Sequence, residues 1–316
     1  MNWKPTATRD ALEARARLLT RARRFFAERG ILEVETPVLS SAAVSDPQLE
    51  SLSTRIKGLR QNFYLQTSPE YAMKRLLASG SGDIFQICKV FRDGERGTWH
   101  NPEFTMLEWY RVGFDERALM REIEELLQTL LPGTYAAERL SYADAMQFYA
   151  GVDPFVASAD ELKAAVEKNE INYHGQLERD ALLDLLMGFV VGPKLGLERP
   201  TFICDYPASQ AALARLKPGS PEVAARFELY LGGVELANGF HELGDAREQR
   251  ARFDQDVRTR ARRAQARAPI DENLLAALGS GLPDCAGVAL GVDRLIAVAF
   301  KATRLSQVMS FTIDNA

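Results

Sequence analysis

Two strand-like runs around a long polar turn, from Phe85 to Arg111, constrain the fold more than any other stretch of this chain. Phe85–Phe91 alternates loosely and ends at Arg92. From Glu103 to Arg111, Phe104, Met106 and Trp109 interleave with Thr105, Glu108 and Arg111. Between the runs lies Asp93–Pro102, rich in charge and glycine. The pattern predicts an antiparallel hairpin with a long loop. Its cargo is unusual. An arginine closes one strand, His100-Asn101-Pro102-Glu103-Phe104 opens the other, and Glu108 and Tyr110 follow two apart on one strand face. Burial needs none of these residues. A site holding an anion, a flat aromatic ring and a cation together would use them all.

Composition removes several alternatives. With 46% hydrophobic residues in 316 the chain can bury a sizeable core. A net charge of −4 is not the basic balance of a nucleic-acid binder. Cys88, Cys204 and Cys285 form no Cys-x-x-Cys motif, and reduced, buried thiols are expected. Three histidines argue against a histidine-built metal site. No run approaches a membrane span, and the N-terminus lacks an apolar signal core. A cytoplasmic protein without a membrane partner is expected. Neither repeats nor a low-complexity linker occur, so one domain over 1–316 is expected.

Taken in order, Thr8 to Arg29 reads as a helix capped by Thr8, with Leu12, Leu19 and Phe26 seven apart and Gly30 as its stop. Its arginines read as a solvated face. A strand at Ile31–Val34 ends before Pro37. Phe63–Thr67 is a strand, and a helix from Tyr71 to Ala78 follows Ser68-Pro69-Glu70, where Ser68 suits a cap and Glu70 the helix dipole. Asp115–Leu131 and Ala181–Val191 are helices, and Thr201–Tyr206 is a short strand. Arg226–Gly239 is a second hairpin about Gly232-Gly233, with Glu228 and Glu235 expected across the turn from each other and Glu242 just beyond. Three carboxylates so close call for a cation or an ammonium group. Asp245–Arg267 reads as a solvated helix. Asp271–Leu278 is a helix ended by Gly279, and a last helix begins near Asp293 with Leu295, Ile296 and Ala299 buried.

The first hairpin resembles motif 2 of the class II aminoacyl-tRNA synthetases. Gly30-Ile31-Leu32-Glu33-Val34-Glu35-Thr36-Pro37 resembles motif 1, and Gly287-Val288-Ala289-Leu290-Gly291-Val292-Asp293-Arg294-Leu295 resembles motif 3. The segment Val234–Leu243 resembles the lysyl branch in particular. The resemblance covers nearly the whole chain. It implies an α+β fold, the class II catalytic core with an antiparallel sheet flanked by helices. No N-terminal OB barrel is expected, since one helix precedes motif 1. It also implies a homodimer through the motif 1 region.

By resemblance, Arg92 bridges the ATP α-phosphate and the substrate carboxylate, and Arg294 meets the γ-phosphate. Both are the expected catalytic residues. Asp93, Gly94, Glu95, His100, Asn101, Phe104, Glu235, Leu236 and Gly291 complete the nucleotide site, with Phe104 against the adenine. Where the family usually carries Glu two residues after the arginine, this chain has Gly94, and Glu95 follows it. Glu228 and Glu235 are the expected Mg²⁺ ligands. Ser68, Pro69, Glu70, Glu108, Tyr110, Asn238, Glu242 and Ala289 are expected around the amino acid, and so many acids favour a diamino substrate.

Two positions point within the lysyl branch. Ala289 and Ser68 stand where lysyl-tRNA synthetases usually carry Gly and Ala. A methyl at 289 removes room beside the substrate backbone, and a hydroxyl at 68 suits an amine moved one carbon along. Both fit the truncated paralogues that attach β-lysine to a lysine of elongation factor P, with no tRNA as acceptor. An enzyme activating α-lysine and a non-catalytic amino-acid sensor are the alternatives. The presence of Arg92, Arg294, Glu228 and Glu235 disfavours the sensor.

Overall fold

The computed structural model describes residues 3–173, 175 and 177–316. The chain divides into two compact units, Met1–Phe114 with Leu243–Ala316, and Asp115–Glu242.

The first unit opens with helix α1 (Arg9–Ala27), where the Thr8 hydroxyl accepts from the Ala11 amide at 3.3 Å. Such a cap is worth about 1 kcal/mol. Its buried stripe is Ala11, Leu18, Ala22, Phe25 and Phe26. Leu12 and Leu19, expected on that stripe, are half-buried, because an α-helix drifts by about 20° per heptad. Strand β1 (Leu32–Glu33) follows. β2 (Leu39–Ser40), β3 (Ser53–Arg55) and β4 (Asn62–Leu65) make a small antiparallel sheet in the order β2-β4-β3. After α2 (Glu70–Ala78) come β5 (Ile84–Phe91) and β6 (Glu103–Val112), the expected hairpin, with Phe85 opposite Trp109 and Gln86 opposite Glu108.

β6 is buried along most of its length, so its alternation does not separate core from solvent. Trp109, grouped in the sequence pattern with Phe104 and Met106, falls on the other face. There Phe26 stacks on Phe85 at 4.5 Å and meets Trp109 edge-on at 5.3 Å. Thr105, Leu107 and Trp109 therefore face α1. Phe104, Met106, Glu108 and Tyr110 face the opposite way.

The second unit begins with α3 (Glu116–Leu130), capped by Asp115. It continues with β7 (Glu138–Ser141), α4 (Tyr142–Ala150), α5 (Ala159–Lys168) and α6 (Arg179–Leu186). β8 (Thr201–Pro207), β9 (Leu216–Lys217), β10 (Val223–Leu231) and β11 (Val234–His241) complete it. Its strands run in the order β11-β10-β8-β7, with β9 beside β10. Tyr142, Met146, Leu162, Leu183, Val191 and Ile203 lie in its core. The β10–β11 hairpin turns at Gly232 and Gly233, whose φ values of +63° and +75° are those a two-residue turn with right-handed strand twist requires.

The first unit resumes with α7 (Ala246–Arg262), α8 (Glu272–Gly281), β12 (Cys285–Gly291) and α9 (Val292–Ala299). β12 pairs antiparallel with β6, giving the order β1-β5-β6-β12, with β1 parallel to β5. The expected sheet with flanking helices is present. Some details differ. α8 continues through Gly279 to Gly281. In α9 Ala299 is exposed, and Ala297 is buried with Leu295 and Ile296. α7 is not wholly solvated: Gln249, Phe253 and Arg260 are buried, and Arg260 donates to the carbonyls of Asp46, Leu49 and Ala266 and to Glu50.

Candidate active site

In the first unit two ends of the hairpin and the start of α9 converge. Arg92, at the end of β5, places its guanidinium carbon 5.1 Å from the centre of the Phe104 ring. Its Nε donates to the Thr67 carbonyl at 3.3 Å, and Nη1 lies 3.5 Å from Glu95. These are long contacts on a side chain 24% exposed, so the fork can turn toward an oxyanion. Asp93 Oδ1 accepts from the Gly94 amide. Gly94 has φ +77°, a conformation costly for any other residue. That accounts for the displaced acid: position 94 is a turn glycine, and Glu95 is the carboxylate that comes beside Arg92.

Arg294, in the first turn of α9, donates from Nε to the Trp99 carbonyl at 3.2 Å, and its Nη2 lies 2.7 Å from His100 Nε2. Burial, then the Arg294 charge, lowers the His100 pKa, so the neutral imidazole accepts. Arg92, Phe104, His100 and Arg294 thus gather two cations, a phenyl ring and an imidazole at this end of the hairpin. Asn101 is different. Its amide donates to the Glu103 carbonyl at 2.6 Å and accepts from the Ile313 amide at 3.0 Å, so its side chain fixes the loop. Gly291 ends β12 opposite Met106.

Further along β6 is a second cluster centred on Glu108, which is 1% exposed. Tyr110 donates its hydroxyl to Oε1 at 2.7 Å, and Ser68 donates to Oε2 at 2.7 Å. Ser68 Oγ also accepts from the Glu70 amide at 3.0 Å, leading Pro69 and Glu70 into α2. Ala289 lies directly across the sheet from Glu108. Glu70 is joined by Lys74, a fully buried cation 2.6 Å away. Sequence reading missed Lys74, although its i,i+4 spacing on α2 was the available signal.

The second unit holds the other acids. Glu228 pairs across the hairpin with Asn238, and Glu235 lies opposite Tyr230, with an irregularity at Leu229/Tyr230. The expectation that Glu228 and Glu235 face each other across the turn is therefore corrected. Their seven-residue spacing around a two-residue turn leaves them in different pairs. Glu228 accepts from Arg226 Nη2 at 2.6 Å and from the Tyr230 hydroxyl at 2.7 Å. Arg226, Glu228 and Tyr230 alternate along β10, so strand periodicity could have revealed this clamp. Burial disfavours the Arg226 charge, but Glu228 outweighs it and holds the guanidinium protonated. Burial, then Glu228, pushes the Tyr230 hydroxyl well up, so it stays a donor.

Carboxylate oxygens of this kind suit a hard cation. Each Glu228 oxygen keeps a further lone pair, and half-buried Glu235 stands on the neighbouring strand. No cluster of three His, Cys, Asp or Glu residues suited to a metal occurs among the described residues. A divalent ion there would rely on carboxylates plus phosphate oxygens, the habit of Mg²⁺. On β11, Leu236 is buried, and Asn238 Oδ1 is buried with no hydrogen-bond partner among the described residues, an atom suited to a polar ligand. Glu242 is 1% exposed and its carbonyl accepts from Arg215. Burial pushes the Cys88 and Cys204 thiols up to about 12.

The tRNA synthetases class II (D, K and N) family matches residues 1–315, and the chain belongs to this family. Among individual proteins, it is 52% identical over 320 residues to the Elongation factor P--(R)-beta-lysine ligase of Salmonella paratyphi A, covering 99% of this chain and 98% of that one. The proteins of the same name from Salmonella gallinarum and Salmonella arizonae are 52% and 51% identical over the same shares.

Proposed function

We propose that this protein is an ATP-dependent ligase. It activates (R)-β-lysine as its adenylate and transfers the β-lysyl group to a lysine ε-amine of elongation factor P. In the first step a carboxylate oxygen attacks the α-phosphorus of ATP and pyrophosphate leaves. The attacker is already an anion, so positioning and charge neutralisation suffice. Arg92 neutralises the α-phosphate and orients the substrate carboxylate, Phe104 stacks on the adenine, and Arg294 with His100 receives the outer phosphates. In the second step the free amine attacks the acyl carbon, an amide C–N bond forms, AMP departs and the amine loses a proton.

Glu228 and Glu235 are the proposed Mg²⁺ ligands, with Arg226 and Tyr230 fixing Glu228. Bound there, Mg²⁺ would neutralise phosphate charge. Asp93, Gly94, Glu95, Leu236 and Gly291 are assigned to the nucleotide, and Asn101 acts by holding its loop. Ser68, Pro69, Glu70, Glu108, Tyr110, Asn238, Glu242 and Ala289 are assigned to the amino acid. The match over 1–315 supports one catalytic domain. Exposed Leu32, Val38, Leu39, Ile56 and Leu59 in and after the motif 1 region support self-association there. A cytoplasmic enzyme is consistent with the absence, among the described residues, of any helix long and apolar enough to cross a membrane.

The observation that carries the substrate assignment is the convergence of Ser68 and Ala289 on one carboxylate, Glu108. The test is intact-protein mass spectrometry of elongation factor P incubated with enzyme, ATP and β-lysine. One added lysyl mass per acceptor is expected. Unmodified elongation factor P, with lysine esterified to tRNA instead, would contradict the proposal.

A further inference from the structure

The mechanism leaves out one buried charge network behind the nucleotide cleft. Asp293, immediately before Arg294, is 2% exposed. Its Oδ2 accepts from the Thr105 amide at 2.6 Å, and its Oδ1 lies 2.5 Å from Arg15 Nη1. Arg15 Nη2 donates to the Thr105 hydroxyl at 2.6 Å. One guanidinium on α1 therefore closes a ring over β6 and α9. Two of its three members adjoin a proposed nucleotide residue: Thr105 follows Phe104, and Asp293 precedes Arg294.

Alternation along β6 gives this arrangement its meaning. Thr105 points back toward α1 while Phe104 points into the cleft. Any shift of the strand against the helix would change the spacing between the Phe104 ring and the Arg294 guanidinium. A carboxylate buried this deeply needs a paired cation, and the planar fork of Arg meets two acceptors at once where an ammonium meets them as a point charge. The other α1 arginines are unlike it. Arg9, Arg17 and Arg24 lie well exposed beside glutamates of their own helix turn.

We infer that Arg15 is a positioning residue for ATP. By latching Asp293 and Thr105 it fixes the two walls of the nucleotide cleft from behind, without touching the substrate. The inference rests on the reading of Phe104 and Arg294 as those walls, and it assigns a role in activation to the first helix. It sets how well ATP is held and leaves the Glu108 cluster unchanged.

The experiment is ATP–pyrophosphate exchange with β-lysine on Arg15→Lys, Arg15→Ala and Thr105→Val, with exposed Arg17→Ala as control. Thr105→Val removes only the hydroxyl acceptor and keeps the backbone donor to Asp293. Loss of charge-assisted bonds predicts that KM for ATP rises roughly tenfold to a hundredfold in Arg15→Ala. Arg15→Lys should recover part of this, and Thr105→Val should shift KM in the same direction by less. KM for β-lysine stays at the wild-type value, as do both constants in Arg17→Ala. A purely structural role would instead lower the folded fraction and leave both KM values unchanged in the molecules that remain folded. That outcome, or a parallel rise in both constants, overturns the inference. If wild-type protein shows no exchange, the functional reading fails on its own. Equilibrium binding of ATP to wild type and Thr105→Val then decides the role of Arg15, with equal affinities counting against it.

Discussion

Ser68 donates its hydroxyl to Glu108 at 2.7 Å, so the loop before α2 is tied to a fully buried carboxylate on β6. Ala289 sits across the strand pair from that carboxylate. A methyl at 289 therefore limits the space beside the group proposed to meet the substrate amine, and Ser68 and Tyr110 fix the orientation of that group. Selection between α- and β-lysine becomes a question of where an ammonium can approach Glu108.

Ala289→Gly should relax that limit. One methyl group in a pocket is worth about 1–3 kcal/mol of discrimination, or roughly 10- to 200-fold. Relative kcat/KM for α-lysine over β-lysine is expected to rise by that order. An unchanged ratio would remove Ala289 from the account.

Arg92→Ala should lower adenylate formation by roughly 10²–10³ in kcat, the usual loss for a donor aimed at developing charge. Its protein contacts are long, at 3.3 and 3.5 Å, so the thermal midpoint should stay near wild type. Wild-type exchange rates in this variant would refute the assignment.

Lys74→Met tests a different property. The ammonium is buried against Glu70 at 2.6 Å, and removing one member of a buried pair costs about 3–5 kcal/mol. Denaturant titration should show a loss of that order, larger than for any exposed α1 arginine. A loss within experimental error would mean that Glu70 finds another partner.

The second unit should respond to acid through Glu116. Burial alone would raise this carboxyl, but hydrogen bonds from His241 and Lys217 outweigh it and hold its pKa down from 4.5 to about 2. A depressed folded-state pKa stabilises above the unfolded value and is lost as pH falls through the folded one. Stability should therefore fall between pH 4.5 and 2, by on the order of 1 kcal/mol from this group after solvent screening. Glu116→Gln should flatten that part of the profile and lower stability at neutral pH. An unaltered acid limb would show that other carboxylates govern it.

Much of this was readable from the residues. The 85–111 hairpin, its loop and the Gly232-Gly233 turn follow from local rules, because alternation and turn chemistry act over a few residues. The partners of the acids were not readable in the same way. Glu228 is expected across the turn from Glu235, whereas the register sets it against Asn238 and the clamp comes from Arg226 and Tyr230 on its own strand. Arg15 looked like one more solvated arginine. Its role depends on Asp293, 278 residues away, and no local pattern encodes such a contact. Asn101 is expected at the nucleotide by resemblance alone, and nothing local in the sequence shows that its side chain meets two backbone groups.

The measurement that bears most directly on the central claim is ATP–pyrophosphate exchange by the purified protein with (R)-β-lysine, α-lysine or no amino acid. The account predicts strong exchange with (R)-β-lysine, weak exchange with α-lysine and none without amino acid. Exchange that prefers α-lysine would contradict the reading of Ser68, Glu108 and Ala289, and absence of exchange with either would contradict the assignment of activating chemistry.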